Sequence, residues 1–234
     1  MAELPGPSLL RTSRHALFKR RFRVSHMDFE HAIWELGTLL VMPRQVYRNV
    51  FYNKQTKNTW ARDDPAIFVL MASLITLSAL SWSIIRATGV WSTILLCFKM
   101  LLRDFLLVAA FSATMIWLLA NALMSTGNEK VEWAYAIDLH CNGFFAIISW
   151  LYILQLFLLP IVTGPKFPSL LVGNLLYLFG IVQYLYIVYL GLSALPFVRR
   201  TNIVLLPLLP ALGFFIISLA GLNIPRVVLQ IYFG

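Results

Sequence analysis

The chain has 234 residues, of which 59% are hydrophobic and 12% are charged. Soluble domains contain about 45–50% apolar and about 25% charged residues. A water-soluble globule of this length would have too few polar groups to cover its surface, so the composition excludes an ordinary soluble enzyme and a disordered protein. It predicts an all-α, polytopic helical membrane protein, because the strands of a membrane barrel alternate apolar and polar residues and give a weaker hydropathy signal. The net charge of +9 fits either a nucleic acid or an anionic membrane surface as partner, and its distribution decides between them.

The first 27 residues are basic, and we expect this segment to be disordered. Its charge is concentrated in four residues, Lys19, Arg20, Arg21 and Arg23. These side chains suit contact with anionic lipid or with RNA, since both present phosphates. No RNA-binding module is recognisable around them. RNA crosslinking with and without residues 11–23 would test the RNA reading.

Residues 28–64 form a second region that is amphipathic and precedes the membrane. Apolar residues recur here at helical spacing until Pro43 ends the helix. One interpretation is a juxtamembrane element on anionic lipid, and another is a docking surface for a cytosolic partner. The candidate partner-binding residues in this region are Trp34, Leu36, Leu40, Arg44, Tyr47 and Arg48.

Residues 65–234 contain the long uncharged runs of the chain. A helix needs about 20 mainly apolar residues to cross the hydrocarbon core of a bilayer. The sequence predicts five spans, at about 66–85, 105–124, 143–162, 170–194 and 202–222. A further apolar stretch, 90–102, carries Lys99 and is too short to span alone. We expect it to form an interfacial helix or to extend the second span.

The distribution of Lys and Arg predicts the orientation. With the N-terminus in the cytosol, the cytosolic segments hold 14 of the 19 basic residues, and the opposite side holds five. Cytosolic loops carry the excess of Lys and Arg in membrane proteins. We therefore expect a cytosolic N-terminus and a C-terminus on the other side of the membrane.

The polar segment 129–142 leads into the third predicted span. On a helix, Asp138 and Asn142 share a face with Tyr135, whereas His140 points elsewhere. A metal site needs three or four converging ligands, and Cys–His catalysis needs an orienting acid, so neither reading is favoured. We expect a polar cluster at the start of a helix that bonds to the tail or to neighbouring helices. The candidate partner-binding residues of this segment are Glu132, Trp133, Tyr135, Asp138, His140 and Asn142.

The predicted spans themselves contain few groups that carry chemistry. Small residues and tyrosines fall on one arc of the fourth span, from Gly173 to Gly191, which favours close helix packing. No Lys, Arg, Asp or Glu lies in the middle of a span, which argues against an ion-coupled transporter. No phosphate-binding loop or hydrolase motif is present. We predict no enzyme activity, no cofactor and no metal site, while lipid handling stays open as an alternative.

Two long and irregular motifs resemble a known family. The stretch MDFEHAIWELGTLLVMPRQVYRNVFYNKQTKNTWARDDPA, which starts at Met27, and VEWAYAIDLHCNGFF, which starts at Val131, are similar to the Unc-50 (uncoordinated-fifty) family, which is related to the yeast Golgi membrane protein Gmh. The similarity covers nearly the whole chain from about residue 20. It includes the sequence ALPF at 194–197.

The resemblance implies a five-span Golgi membrane protein with a cytosolic N-terminus and a role in vesicle traffic. It implies partners among the Golgi Arf guanine-nucleotide exchange factors, and nicotinic acetylcholine receptors as membrane cargo. It also implies RNA binding, and the inner nuclear membrane or endoplasmic reticulum as other locations. No catalytic residues follow from it.

Overall fold

The computed structural model describes residues 27–48, 59–62 and 64–233, and the basic cluster at 19–23 lies outside them. The regular secondary structure of the described residues is helical, and one isolated bridge joins Ser125 to Val198. The all-α prediction is therefore confirmed. The helices are α1 (Phe29–Val41), α2 (Pro43–Arg48), α3 (Ala66–Ile85), α4 (90–124), α5 (Trp133–Phe157), α6 (Leu159–Val162), α7 (Phe167–Ser193), α8 (Thr201–Ser218) and α9 (Ile224–Phe233).

Four helices in the described part of the chain are long and apolar enough to cross a membrane. They are α3, α5, α7 and α8, and they overlap the predicted first, third, fourth and fifth spans. α5 begins at Trp133, ten residues before the predicted start of the third span, because the polar residues of its first turns are paired inside the protein. Paired polar groups of this kind are tolerated within a helical bundle.

The predicted second span, 105–124, is the C-terminal part of α4. The stretch 90–102 continues into it without a break, so it extends this helix. α4 carries Lys99, Arg103 and Asp104 in its N-terminal half, and it is not among the four helices that qualify by length and apolar composition. The predicted count of five spans is therefore not confirmed.

α4 and α5 each contain wide π-helical turns. They cover Lys99–Leu107 and Ala120–Met124 in α4, and Ile148–Leu154 in α5. In α5 the carbonyl of Tyr152 accepts hydrogen bonds from the indole of Trp82 (3.0 Å) and the hydroxyl of Ser78 (3.2 Å), both on α3. The irregular turn of α5 is thus held by side chains of a neighbouring helix, as expected where a regular helical hydrogen bond is lost.

α7 packs closely against its neighbours through the glycines that the sequence analysis singled out. A Cβ atom at Gly191 would overlap Leu139 of α5 and lie 2.9 Å from the ring of Tyr47. A Cβ at Gly173 would lie 2.6 Å from Pro225 at the start of α9. Both approaches need a residue without a side chain, in agreement with the predicted role of this arc in helix packing.

Candidate partner-docking site

α1 has one face that packs against the bundle and one face that is exposed. Asp28 caps its N-terminus by accepting a hydrogen bond from the amide of His31 (2.9 Å), which satisfies one of the free N–H groups of the first turn. The inward face is formed by Ala32, Glu35, Leu36 and Leu39. The outward face exposes Ile33, Trp34, Leu40 and Val41. α1 therefore has apolar residues on two faces: one is packed against the bundle, and the other is exposed.

α2 returns the chain toward the end of α7. The amide of Met42 bonds to the carbonyl of Thr38 (2.7 Å), and Pro43 then starts the new helix because its ring cannot continue the old one. Tyr47 of α2 is 6% exposed, and its ring fills the space beside Gly191. Burial raises the pKa of Tyr47, which keeps the phenol neutral and able to accept the amide of Asn142 (3.1 Å).

Arg62 joins the tail to α5. Its backbone amide donates to Asp138 (2.7 Å), and its guanidinium donates to Asn142 (2.9 Å) and forms an ion pair with Glu35 of α1. Burial by itself lowers the pKa of Arg62, but the carboxylates of Glu35 and Asp138 outweigh it and raise the pKa. These residues, with Tyr47, are called the Arg62 cluster below: Glu35, Tyr47, Arg62, Asp138 and Asn142.

The remaining polar residues at the start of α5 bond to α7. The hydroxyl of Tyr135 donates to the carbonyl of Gly191 (2.8 Å), and His140 Nδ1 pairs with the hydroxyl of Tyr184 (2.9 Å). Asp138 and Asn142 face Arg62 together, as their four-residue spacing predicts. His140 turns toward α7 instead. In the described residues, no group of three or more His, Cys, Asp or Glu side chains is placed to hold a metal ion.

Further contacts hold α1 and α2 at their outer edge. Gln183 of α7 donates to the carbonyl of Leu40 (3.1 Å), and Arg44 donates to the hydroxyl of Tyr186 (2.8 Å). On the other side, the amide of Asp28 donates to the carboxylate of Asp64 (2.8 Å), which also accepts the amide of Ala66 at the start of α3 (2.9 Å). The tail helix is therefore bonded to α3, α5 and α7.

The candidate partner-binding residues fall into two groups in the structure. Trp34, Leu40, Arg44, Arg48 and Trp133 are exposed, and Glu132 is half-buried, where it accepts the amide of Trp60 (3.4 Å). The other six are buried among the helices: Leu36, Tyr47, Tyr135, Asp138, His140 and Asn142. Only the exposed group is free to meet a partner in this conformation, so the buried group acts by holding the exposed one in place.

Sequence reasoning missed Glu35 and Arg62. Glu35 lies on the apolar face of α1 with Leu36 and Leu39, and an acid on the buried side of an amphipathic helix is a signal for a buried cation. The sequence therefore indicates that a cation lies near Glu35. It does not indicate which cation this is, because Arg62 lies in a segment without helical periodicity.

The exposed amphipathic tail helix, fixed to helices of membrane-spanning length, defines a polytopic helical membrane protein with a docked N-terminal region. The family model described as the UNC-50 family matches residues 17–233, and the chain belongs to this family.

The matches to named relatives cover most of this chain and most of each relative. The chain is 38% identical over 226 residues to protein GMH1 of Saccharomyces cerevisiae, which covers 90% of this chain and 83% of that protein. It is 36% identical to the GMH1 homolog of Schizosaccharomyces pombe, with 92% and 95% covered. It is 37% identical to the human unc-50 homolog, with 94% and 86% covered. No solved structure matches the chain.

Proposed function

We propose that this protein is a non-enzymatic adaptor of the Golgi membrane that supports vesicle-mediated protein transport. In this proposal, α1 and α2 face the cytosol and recruit a soluble trafficking factor, for which the Arf guanine-nucleotide exchange factors of the Golgi are the first candidates. Membrane-protein cargo such as nicotinic receptors would be carried by the membrane-embedded part. Membership of the UNC-50 family and the basic bias of the predicted cytosolic segments support this assignment.

The observation that carries the proposal is an exposed surface on a fixed support. The α1–α2 surface consists of Ile33, Trp34, Leu40, Val41, Arg44 and Arg48, all of which are exposed. Large apolar residues, above all Trp, with Arg beside them are typical of the residues that dominate protein–protein binding. The Arg62 cluster holds the opposite face of α1, so little conformational entropy remains to be lost when a partner binds.

The chemistry of the α1–α2 surface defines its partner. The exposed Trp34 and Leu40 suit an apolar groove, and the two arginines suit an acidic rim around that groove. A bare anionic bilayer would also attract the arginines, but it would not depend on a fixed orientation of α1. Recruitment by a protein partner therefore requires both the α1–α2 surface and the Arg62 cluster.

The experiment replaces the apolar contact residues in full-length protein expressed in cells that lack their own copy. Trp34→Ala with Leu40→Ala is expected to reduce exchange-factor recruitment to Golgi membranes by about fivefold or more, since a contact residue of this kind contributes above about 1 kcal/mol. The matched control is Trp91→Ala with Leu95→Ala, which removes exposed side chains of the same two types from α4. Normal recruitment by the tail variant, with normal Golgi residence, contradicts the proposal.

A second pair of variants tests the charges. Arg44→Glu with Arg48→Glu is expected to weaken recruitment, and Arg199→Glu with Arg200→Glu is the control with the same charge change on the same predicted side. Because Arg44 also bonds to Tyr186, Tyr186→Phe separates loss of that hydrogen bond from loss of charge. Equal recruitment by both double variants would argue against an acidic partner.

A further inference from the structure

A cavity of about 290 Å³ lies between α3, α4, α5, α7 and α9, away from the α1–α2 surface. It is about twice the size of the ~150 Å³ apolar cavity that binds benzene in a protein core. It lies close to the lower end of ligand pockets, at about 300 Å³. Most of its wall is apolar, and it includes Trp82, Leu96, Met100, Val108, Phe144 and Leu229. The cavity therefore has room for one end of a lipid molecule.

One part of the wall is polar, and it contains a hydrogen-bond acceptor that is not paired with any described residue. Gln155 is 2% exposed and lines the cavity, and its Oε1 atom has no hydrogen-bond partner among the described residues. Buried polar atoms are almost always paired, so the free Oε1 calls for a donor from a bound molecule.

The charges of the wall select the head group of that molecule. Asp104 is the charged residue among the described residues that line the cavity, and it already accepts hydrogen bonds from Arg103 (2.6 Å) and from the hydroxyl of Tyr232. A phosphate would meet this carboxylate without a free cation to pair with. A neutral hydroxyl group meets the requirement of Gln155 and brings no charge into the cavity.

The backbone around the cavity is irregular on two sides. The π-helical turn Lys99–Leu107 places Met100 and Asp104 on the wall, and the turn Ile148–Leu154 places Leu151 and Tyr152 there. π-helical turns are rare and occur frequently at functional sites. Both of these turns border the same space, which is a second indication of a site independent of Gln155.

We propose that this cavity binds a neutral, hydroxyl-bearing membrane lipid. The lipid hydroxyl donates a hydrogen bond to Gln155 Oε1, and the adjoining hydrocarbon lies against Leu96, Met100 and Leu229. Diacylglycerol, ceramide and sterol share this chemistry. The site is separate from the α1–α2 surface, so the lipid proposal does not depend on the adaptor proposal.

The test uses purified full-length protein in nanodiscs and four photoactivatable, clickable lipids. The diacylglycerol, ceramide and cholesterol probes represent the three sources, and a phosphatidylcholine probe with matched acyl chains represents the phosphate head group. At least one neutral probe is expected to label peptides of α4, α5 or α9 and to be displaced by its unlabelled form. Equal labelling by phosphatidylcholine, labelling only elsewhere, or no labelling because water fills the cavity would each overturn the proposal.

Two variants tie the labelling to the cavity. Gln155→Leu removes the acceptor at similar size and is expected to weaken binding by roughly fivefold to tenfold, the loss of one buried hydrogen bond. Val228→Trp fills the cavity, whereas Val227→Trp places the same ring on the exposed neighbouring position of α9. Loss of labelling in Val228→Trp but not Val227→Trp supports the site, and unchanged labelling in both cavity variants overturns it. The comparison of head groups on the unmodified protein holds even where a variant fails to fold.

Discussion

At the scale of single residues, Arg62 is the residue that links α1 to α5. Its guanidinium forms an ion pair with the buried carboxylate of Glu35, and its backbone amide donates to Asp138. Removal of one member of a fully buried ion pair costs about 3–5 kcal/mol. The side chain of Arg62 is 23% exposed, so some of this cost is screened by solvent.

We predict that Arg62→Ala lowers the free energy of unfolding by about 2–3 kcal/mol, less than the ~3–5 kcal/mol for a fully buried pair because solvent screens part of the charge. Thermal unfolding of the detergent-solubilised protein measures this. Arg199→Ala, which removes an exposed arginine, serves as control and is expected to change little. Equal melting temperatures of the two variants would mean that the Arg62 cluster contributes nothing to stability.

Gly191 is the residue on which the closest helix approach depends. Gly191→Ala is expected to destabilise the protein by about 1–3 kcal/mol, because the new methyl group overlaps Leu139 and crowds Tyr47. At Gly213 of α8 a Cβ meets nothing within 4 Å, so Gly213→Ala is the control. That change is expected to be neutral or slightly stabilising, since Ala favours a helix. The thermal unfolding assay distinguishes them, and a Gly191→Ala protein as stable as Gly213→Ala would contradict the packing argument.

At the scale of elements, α1 shows what the sequence could and could not predict. The 3.6-residue period predicted that this helix is amphipathic, and the spacing of Asp138 and Asn142 predicted that they share a face. Their common partner, Arg62, lies 76 and 80 residues away from them, and 27 residues from Glu35. Periodicity describes only local structure, so it could not predict the tertiary contact that fixes α1. For the same reason the third span was predicted to start ten residues too late, since the polar first turns of α5 are paired by the tail and by α7.

The docking of α1 can be tested with two adjacent leucines. Leu39 is 0% exposed and Leu40 is 36% exposed. Leu39→Ala is expected to cost about 2–5 kcal/mol of packing and to release α1, so that its amides exchange hydrogen faster. Leu40→Ala is expected to leave exchange unchanged while it weakens partner recruitment. Hydrogen exchange by mass spectrometry measures both, and faster exchange in Leu40→Ala would show that the outward face also supports the fold.

At the scale of the whole molecule, the course of the chain through the membrane depends on α4. Four helices satisfy the length and composition of a span, and α4 joins two of them, α3 and α5. Its C-terminal part, 105–124, is uncharged, and its N-terminal part carries Lys99, Arg103 and Asp104. The apolar runs could be predicted because they depend on local composition alone. The hydrogen bond from Tyr232 of α9 to Asp104 could not be predicted, because the two residues are 128 positions apart in the chain.

We predict that α4 crosses the membrane, so that the two ends of the chain lie on opposite sides. The uncharged stretch 105–124 has about the 20 residues that a crossing needs, and a crossing at this point keeps 14 basic residues in the cytosol and five outside. A glycosylation tag after Gly234 is expected to be modified in cells, whereas the same tag before Met1 or inserted at Gly127 is expected to stay unmodified. With four crossings the two ends would share a side, so an unmodified tag after Gly234 together with an unmodified tag before Met1 would show that α4 does not cross.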